Sequence, residues 1–376
     1  MKISSMAKYA VGVTVAAAML AACSSGGNSS FGPTGVAPAG HHAGLTQLSR
    51  IQDKALTQPH FMARPVHTDH GKTWWNIPDR RHRRKEAYLF VGDDSTNDVY
   101  VYDFKTGAQV GTLTGFDGPY GQCVDTKNHV YIANFDNGSV QEWAIGGTTP
   151  IHTYNSGGEP IGCSVDAGTG NVAVTSFDPG EVIVFPGGAT TGQTGYSMTD
   201  CEVEWTAGYD NNGNLFGVGE YSSIDVCELA KGATEENLAS ESGITIDFPG
   251  GTQWDGKYIG LGDQEAGGSF ESGTWPTTLS GTTLTAAGAE TKYSDNCESN
   301  YDDTVNATFV DGRKAITNAS TTQAKEMVGP NLWCVDAGFG RVDYWAYPAG
   351  GTPTGDLASP PADPYGSSVV YGKKGL

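Results

Sequence analysis

Glu202 and Glu204 are the carboxylates whose spacing most invites chemistry. In Cys201-Glu202-Val203-Glu204-Trp205 they stand two apart, directly after Asp200. On an extended strand, residues two apart share one face. Carboxylates gathered away from water are costly unless a cation or hydrogen bonds compensate them. Asp200, Glu202 and Glu204 are therefore a candidate set for Ca2+ or another divalent cation. Such an ion polarises a carbonyl and activates water, which is hydrolase chemistry. The competing reading sends both glutamates to solvent at a channel mouth.

Other constellations carry less. Val124-Asp125 and Val165-Asp166 repeat, and each Asp precedes a turn. They read either as a ring of carboxylates or as side chains that accept turn amides, and the repetition favours the turn. Asp210-Asn211-Asn212-Gly213-Asn214 looks like part of a calcium loop but lacks the downstream bidentate glutamate, so it reads as a turn. Residues 264–330 are acidic and irregular, with Glu290, Asp295, Glu298, Asp302 and Asp303 among Tyr293 and Tyr301. A long excursion of this kind is either a binding loop or surface decoration. His129 and His152 are the only histidines after residue 87. Histidine-ligated copper or haem and a Ser-His-Asp triad thus have little material. Phosphate-cradling glycine loops and nucleophile elbows are missing from the sequence.

The elements that must position these residues are strands. Short apolar runs such as Tyr88–Val91, Val130–Ala133, Val172–Thr175, Leu215–Val218 and Tyr258–Leu261 alternate with Gly, Asn and Asp. No segment keeps a helical period over ten residues. The runs belong to a repeated phrase, clearest in Gly118–Pro150 and Glu159–Gly192, with echoes at Tyr209–Glu236 and Asn331–Gly355. Equivalent strands start near Tyr88, Val130, Asn171, Asn214 and Lys257, at intervals of 42, 41, 43 and 43. That period suits a four-stranded propeller blade. The fold expected is an all-β, six-bladed β-propeller, with seven blades if 264–330 hides another. Asp363–Val370 copies the approach to a first strand, and Tyr88 starts a second strand with no first before it. The C-terminal strand should therefore complete the first blade and remove an open sheet edge.

The N-terminal part is different. Lys2 and Lys8 precede an apolar run from Tyr9 to Ala22, which reads as a secretory signal over 1–22. Residues 23–87 form a flexible tether with a basic arm, Arg80-Arg81-His82-Arg83-Arg84-Lys85, and include Trp74 and Trp75. Residues 88–376 form the propeller domain. They carry eleven Lys/Arg against thirty-eight Asp/Glu, a balance that disfavours nucleic acid and attracts cations or basic partners. Cys123, Cys163, Cys201, Cys227, Cys297 and Cys334 make an even set in an exported chain, so disulfides are expected. Fifteen pairings are open, and Cys201–Cys227, within one repeat, is the pair favoured.

Leu20-Ala21-Ala22-Cys23 resembles the lipobox of bacterial lipoproteins, which implies a diacylated Cys23 and a membrane anchor facing the periplasm or cell surface. Pro119-Tyr120-Gly121, Val124-Asp125 and Val130-Tyr131-Ile132-Ala133-Asn134 resemble the NHL, SMP-30 and YncE-like bacterial propellers. Trp254–Ile259, Gly262–Glu265 and Tyr347–Pro353 are similar to uncharacterised propeller lipoproteins. The resemblance covers roughly 88–372 and implies the fold, which hosts binders and enzymes alike. The expected function is a lipid-anchored platform for a small ligand or envelope protein. The alternative is a lactonase-type hydrolase using a channel cation, and a third reading is a structural envelope protein.

Overall fold

The structure is a computed structural model. It describes residues 71–76, 87–104, 106–177, 180–196, 205–220, 224–264, 266, 271–294, 304–306, 331–336, 340–357 and 359–371.

The strands follow the repeat. The first unit holds β1 (Trp74–Trp75), β2 (Ala87–Asp93), β3 (Asp98–Asp103) and β4 (Gln109–Leu113). The second holds β5 (Pro119–Val124), β6 (His129–Asn134), β7 (Ser139–Ala144) and β8 (His152–Asn155). The third holds β9 (Pro160–Val165), β10 (Val172–Ser176), β11 (Glu181–Phe185) and β12 (Thr194–Tyr196). The fourth holds β13 (Gly208–Tyr209), β14 (Leu215–Glu220), β15 (Ile224–Leu229) and β16 (Asn237–Ser242). The fifth holds β17 (Pro249–Trp254), β18 (Ile259–Asp263), β19 (Glu271–Ser280), β20 (Thr283–Ala286) and β21 (Thr291–Ser294). The sixth holds β22 (Thr304–Asn306), β23 (Asn331–Asp336), β24 (Arg341–Ala346) and β25 (Gly355–Asp356). Within each unit neighbouring strands pair antiparallel, in chain order except that β1 joins β4 and β21 joins β19. The last strand, β26 (Pro364–Tyr371), returns to the first unit and pairs with β2, Tyr88 opposite Val370. This is the closure the copied C-terminal phrase predicts.

Alternation along the strands explains how one unit binds the next. Tyr88 and Phe90 point into a cluster with Val130, Ile132 and Trp143 of the second unit. Leu89 and Val91, one residue out of phase, point the other way, into Trp333, Val335 and Val342 of the sixth. Tyr131 and Ala133 likewise face Val172, Val174 and Phe185 of the third unit. Side chains of period two thus give each sheet two apolar faces. Each fully buried Val, Leu, Ile or Phe contributes about 1.5–3 kcal/mol relative to exposure. A disulfide between Cys123 and Cys163 joins β5 to β9. Cys123 stands two residues before its turn aspartate and Cys163 three before, so they lie on opposite faces of equivalent strands. Stacked units present opposite faces to each other, which is why this pair can meet. A cross-link enclosing 40 residues removes about 4 kcal/mol of unfolded-chain entropy.

Three features depart from the sequence reading. Trp74 and Trp75, placed there in the arm, add β1 to the edge of β4, and Trp75 Nε1 donates to Gly147 O at 2.6 Å. Residues 271–294, read as part of an irregular excursion, are regular strands of the fifth unit. The outer strands β16 and β20 pair in parallel, Ser240 opposite Thr283, and so fuse the fourth and fifth units into one sheet. Among the described residues, no helix is long and apolar enough to cross a membrane.

The repeated aspartates hold turns. Asp125 Oδ1 accepts the Lys127 and His129 amides, each at 2.8 Å. Asp210 Oδ1 accepts Asn212 and Asn214 in the same way, and Asp255 Oδ1 accepts Lys257 and Tyr258. Asp166 Oδ1 accepts the Gly168 amide. The apparent calcium loop at Asp210 is therefore an ordinary turn, its carboxylate engaged by its own neighbours.

Candidate functional site

In an antiparallel unit the start of the innermost strand lies beside the end of the second, as Pro119 lies opposite Asn134. Residues at these two places gather at one mouth of the ring. The sequence puts aromatic side chains there in unit after unit. Tyr365 at the start of β26 stacks on Tyr120 at the start of β5, centroids 4.5 Å apart. Tyr120 stacks on Phe135, which follows β6, at 4.6 Å. Phe135 reaches Phe177 after β10 at 6.5 Å, and Phe177 reaches Trp205 before β13 at 6.2 Å. Trp205 then meets Phe248 before β17 at 6.0 Å. The result is a continuous aromatic arc across five units. Tyr365, Trp205 and Phe248 are buried and anchor it, whereas Tyr120, Phe135 and Phe177 are half-buried and offer ring surface to solvent. Beyond Phe135 the chain turns through exposed Asp136 and Asn137, and Gly138 takes φ 70°, which favours glycine.

The arc ends on a pair of carboxyls. Asp263, at the end of β18, accepts the Phe248 amide on Oδ1 at 3.1 Å and the Asp247 amide on Oδ2 at 2.9 Å. Glu290, just before β21, reaches the same place across β19. It can do so because Gly273 has no side chain: a Cβ there would stand 2.4 Å from Glu290 Oε1. Burial, and then the charge of Asp263, raise Glu290 from 4.5 to about 7; Lys292, whose Nζ lies 3.5 Å from Oε2, opposes the shift. A carboxyl in this state gives or takes a proton near neutral pH.

A second constellation lies in the second unit. Glu142 on β7 sits opposite Tyr131 on one side and His152 on the other. Period two then puts His129, Tyr131, Glu142, His152 and Tyr154 on one face. His129 Nδ1 is 2.7 Å from Glu142 Oε1 and 3.4 Å from Asp125 Oδ2. His152 Nδ1 lies 2.8 Å from Glu142 Oε2, and the Tyr154 hydroxyl donates to that oxygen at 2.9 Å. Hydrogen bonds to Asp125 and Glu142 raise His129 to about 9 against its burial. Burial alone would raise Glu142, but hydrogen bonds from His129, His152 and Tyr154 outweigh it and bring the group to about 2. The two histidines that look scattered in sequence therefore converge on one carboxylate. Glu142 was missed; the signal that could have found it is its register opposite His152.

Of the residues singled out in sequence, Asp200, Cys201, Glu202 and Glu204 lie outside the described residues, as does Cys23. Cys227 and Cys334 are disulfide-bonded, but whether Cys227 pairs with Cys201 falls outside the described residues. Of the acidic set at 264–330, Glu290 is brought to the mouth, whereas Asp295, Glu298, Tyr301, Asp302 and Asp303 lie outside the described residues. Tyr293 is fully buried between the fifth and sixth units beside Trp345.

No protein-family model matches the chain, and no curated relative matches it. Among solved structures it is similar to a chain in the crystal structure of a nidogen/laminin complex. That match has 12% identity and a TM-score of 0.51, and covers 76% of this chain and 99% of the other. A functionally unknown protein from Desulfotomaculum acetoxidans DSM 771 is similar at 11% identity and a TM-score of 0.49, covering 81% and 90%. A streptogramin B lyase structure is similar at 12% identity and a TM-score of 0.37, covering 70% of each chain. The first likeness, joined to the antiparallel sheets of mostly four-stranded units and the return of β26 to β2, establishes the fold alone: this chain is an all-β propeller.

Proposed function

We propose that this chain is a lipid-anchored envelope propeller that binds a small ligand or a protein segment at its aromatic mouth. One observation carries the reading. Half-buried Tyr120, Phe135 and Phe177 form a row of rings held at one end by buried Tyr365 and at the other by buried Trp205 and Phe248. Aromatic faces preorganised on a rigid scaffold bind apolar or π-faced groups at low entropic cost. The resemblance of the Pro-Tyr-Gly and Val-Asp phrases to NHL, SMP-30 and YncE-like propellers supports the same reading. So does the lipobox-like Leu-Ala-Ala-Cys23, which would hold the domain at a membrane facing the periplasm or cell surface.

A hydrolase is the second reading, and the Asp263–Glu290 pair beside Phe248 favours it, since an acid that titrates near 7 suits proton transfer. Asp200, Glu202 and Glu204 remain the candidates for a Ca2+ or other divalent ion in its lactonase-type form.

Direct binding by titration calorimetry provides the test. The full chain is titrated with soluble oligosaccharides and with proline-rich peptides, beside the variant Tyr120→Ala/Phe177→Ala. Saturable binding by one class that the variant loses supports the binding mouth. Equal responses of variant and native chain to every probe would sink it, and hydrolysis of a lactone panel lost in Glu290→Gln would replace it with the second reading.

A further inference from the structure

We propose that Asp125, His129 and Glu142 form a binding site for a divalent transition ion of the zinc or manganese kind, separate from the aromatic mouth. One ligand atom from each of the three residues lies within 4.8 Å of the other two. Around a tetrahedral zinc ion with bonds of about 2.0–2.1 Å, neighbouring ligand atoms stand about 3.3 Å apart. The separations here are 3.4 Å from His129 to Asp125 and 2.7 Å from His129 to Glu142. Opening the His129–Glu142 separation by roughly 0.6 Å admits the ion.

The second half of each carboxylate is already held. Asp125 Oδ1 takes two turn amides, and Glu142 Oε2 takes the Tyr154 hydroxyl and faces His152 Nδ1. Each carboxylate is thus pinned by one oxygen and turns the other inward. Outer partners of this kind orient ligands in metal centres. The ion must displace the proton that His129 shares with Asp125 and Glu142; the two carboxylates and the neutral imidazole then balance a divalent charge. The imidazole nitrogen favours zinc over Ca2+, which takes oxygen ligands, and the two carboxylates also suit manganese. Both carboxylate side chains are 6% exposed and His129 is 24% exposed, so the ion would come in past His129. Three protein ligands leave a fourth position for water or an external donor.

The experiment uses the full chain without a histidine tag, stripped with EDTA and titrated calorimetrically with Zn2+, Mn2+ and Ca2+ separately. His41, His42, His60, His67, His70 and His82 are a competing source of loose metal capture, so a control replaces all six by Gln. Asp125→Asn keeps an oxygen for the turn amides and removes the ligating anion, and His129→Gln removes the nitrogen. The expected result is one Zn2+ or Mn2+ site in the native chain and in the control. It should be weakened at least about tenfold in each of the two site variants, since loss of an outer partner alone costs roughly ten- to a hundredfold, with unchanged far-ultraviolet dichroism. Bound Co2+ should give visible bands that both variants lose. The proposal fails if the native chain binds neither ion, or if only Ca2+ binds. It also fails if binding disappears in the six-histidine control, or if only one of the two variants weakens it.

Discussion

Two buried carboxyl groups, Glu142 in the second unit and Glu290 in the fifth, have gone in opposite directions. Both lose water, and burial alone raises both. Glu142 is met by two imidazoles and a phenol and falls to about 2, whereas Glu290 is met by a second carboxylate and rises to about 7. Burial sets the cost of a charge, but the neighbours decide whether the charge is kept. One repeat can therefore yield a fixed anion in one unit and a proton store in another, by changing a partner strand.

The comparison can be broken most forcefully at Glu142. Glu142→Ala leaves His129, His152 and Tyr154 without their shared acceptor and should cost about 3 kcal/mol in urea unfolding. A loss under ~0.5 kcal/mol would mean that the cluster is not a unit. Next comes Gly273→Ala, whose Cβ would also stand 2.6 Å from the Ala266 Cβ. Overpacking of this kind should cost about 2 kcal/mol and drive Glu290 away from Asp263, so its titration should return toward 4.5. An unchanged Glu290 titration by NMR would show that the gap at Gly273 is not what admits it.

Glu290→Gln sharpens the comparison through pH. The folded value, about 7, lies above the ordinary 4.5, so between them the folded state holds more protons than the unfolded one. The contribution of Glu290 to stability must then fall as pH rises from 4.5 to 7 and level off above. The variant should lack this fall and exceed the native chain by on the order of 1 kcal/mol at about pH 8, with little difference at about pH 4.5. Parallel stability–pH curves would refute the pairing. The smallest effect belongs to Asp210→Asn, which keeps an acceptor for two turn amides and should cost less than about 0.5 kcal/mol, against about 1 kcal/mol for Asp210→Ala. Equal losses would show that charge, not acceptance, matters in that turn.

Much of the scaffold was legible because it rests on local patterns. Period-two runs between Gly and Asn turns mark β2, β6, β10, β14 and β18, and the copied phrase at Asp363 marks the closing strand. The role of Asp125, Asp166 and Asp210 followed from repetition, since equivalent turns need the same acceptor. The candidate sites were less legible, for physical reasons. His129, Glu142 and His152 meet only when three strands are set in register, and a slip of one residue would send Glu142 to the other face. Glu290 reaches Asp263 only over a missing side chain at Gly273, and a glycine inside a strand equally marks a bulge or a sharp bend. The Cys123–Cys163 pair needed both the stacking of units and the odd offset of the two cysteines. In each case sequence distance conceals a contact that tertiary packing creates.

The pairing of β26 with β2 also sets an order of events. The first unit is made early but receives its innermost strand only after the other units are made, so a growing chain carries β2 with one open edge until Pro364–Tyr371 emerges. Pairing of that segment locks the ring. A ribosome stall or a clip before Pro364 would leave an adhesive, unfinished seam along β2.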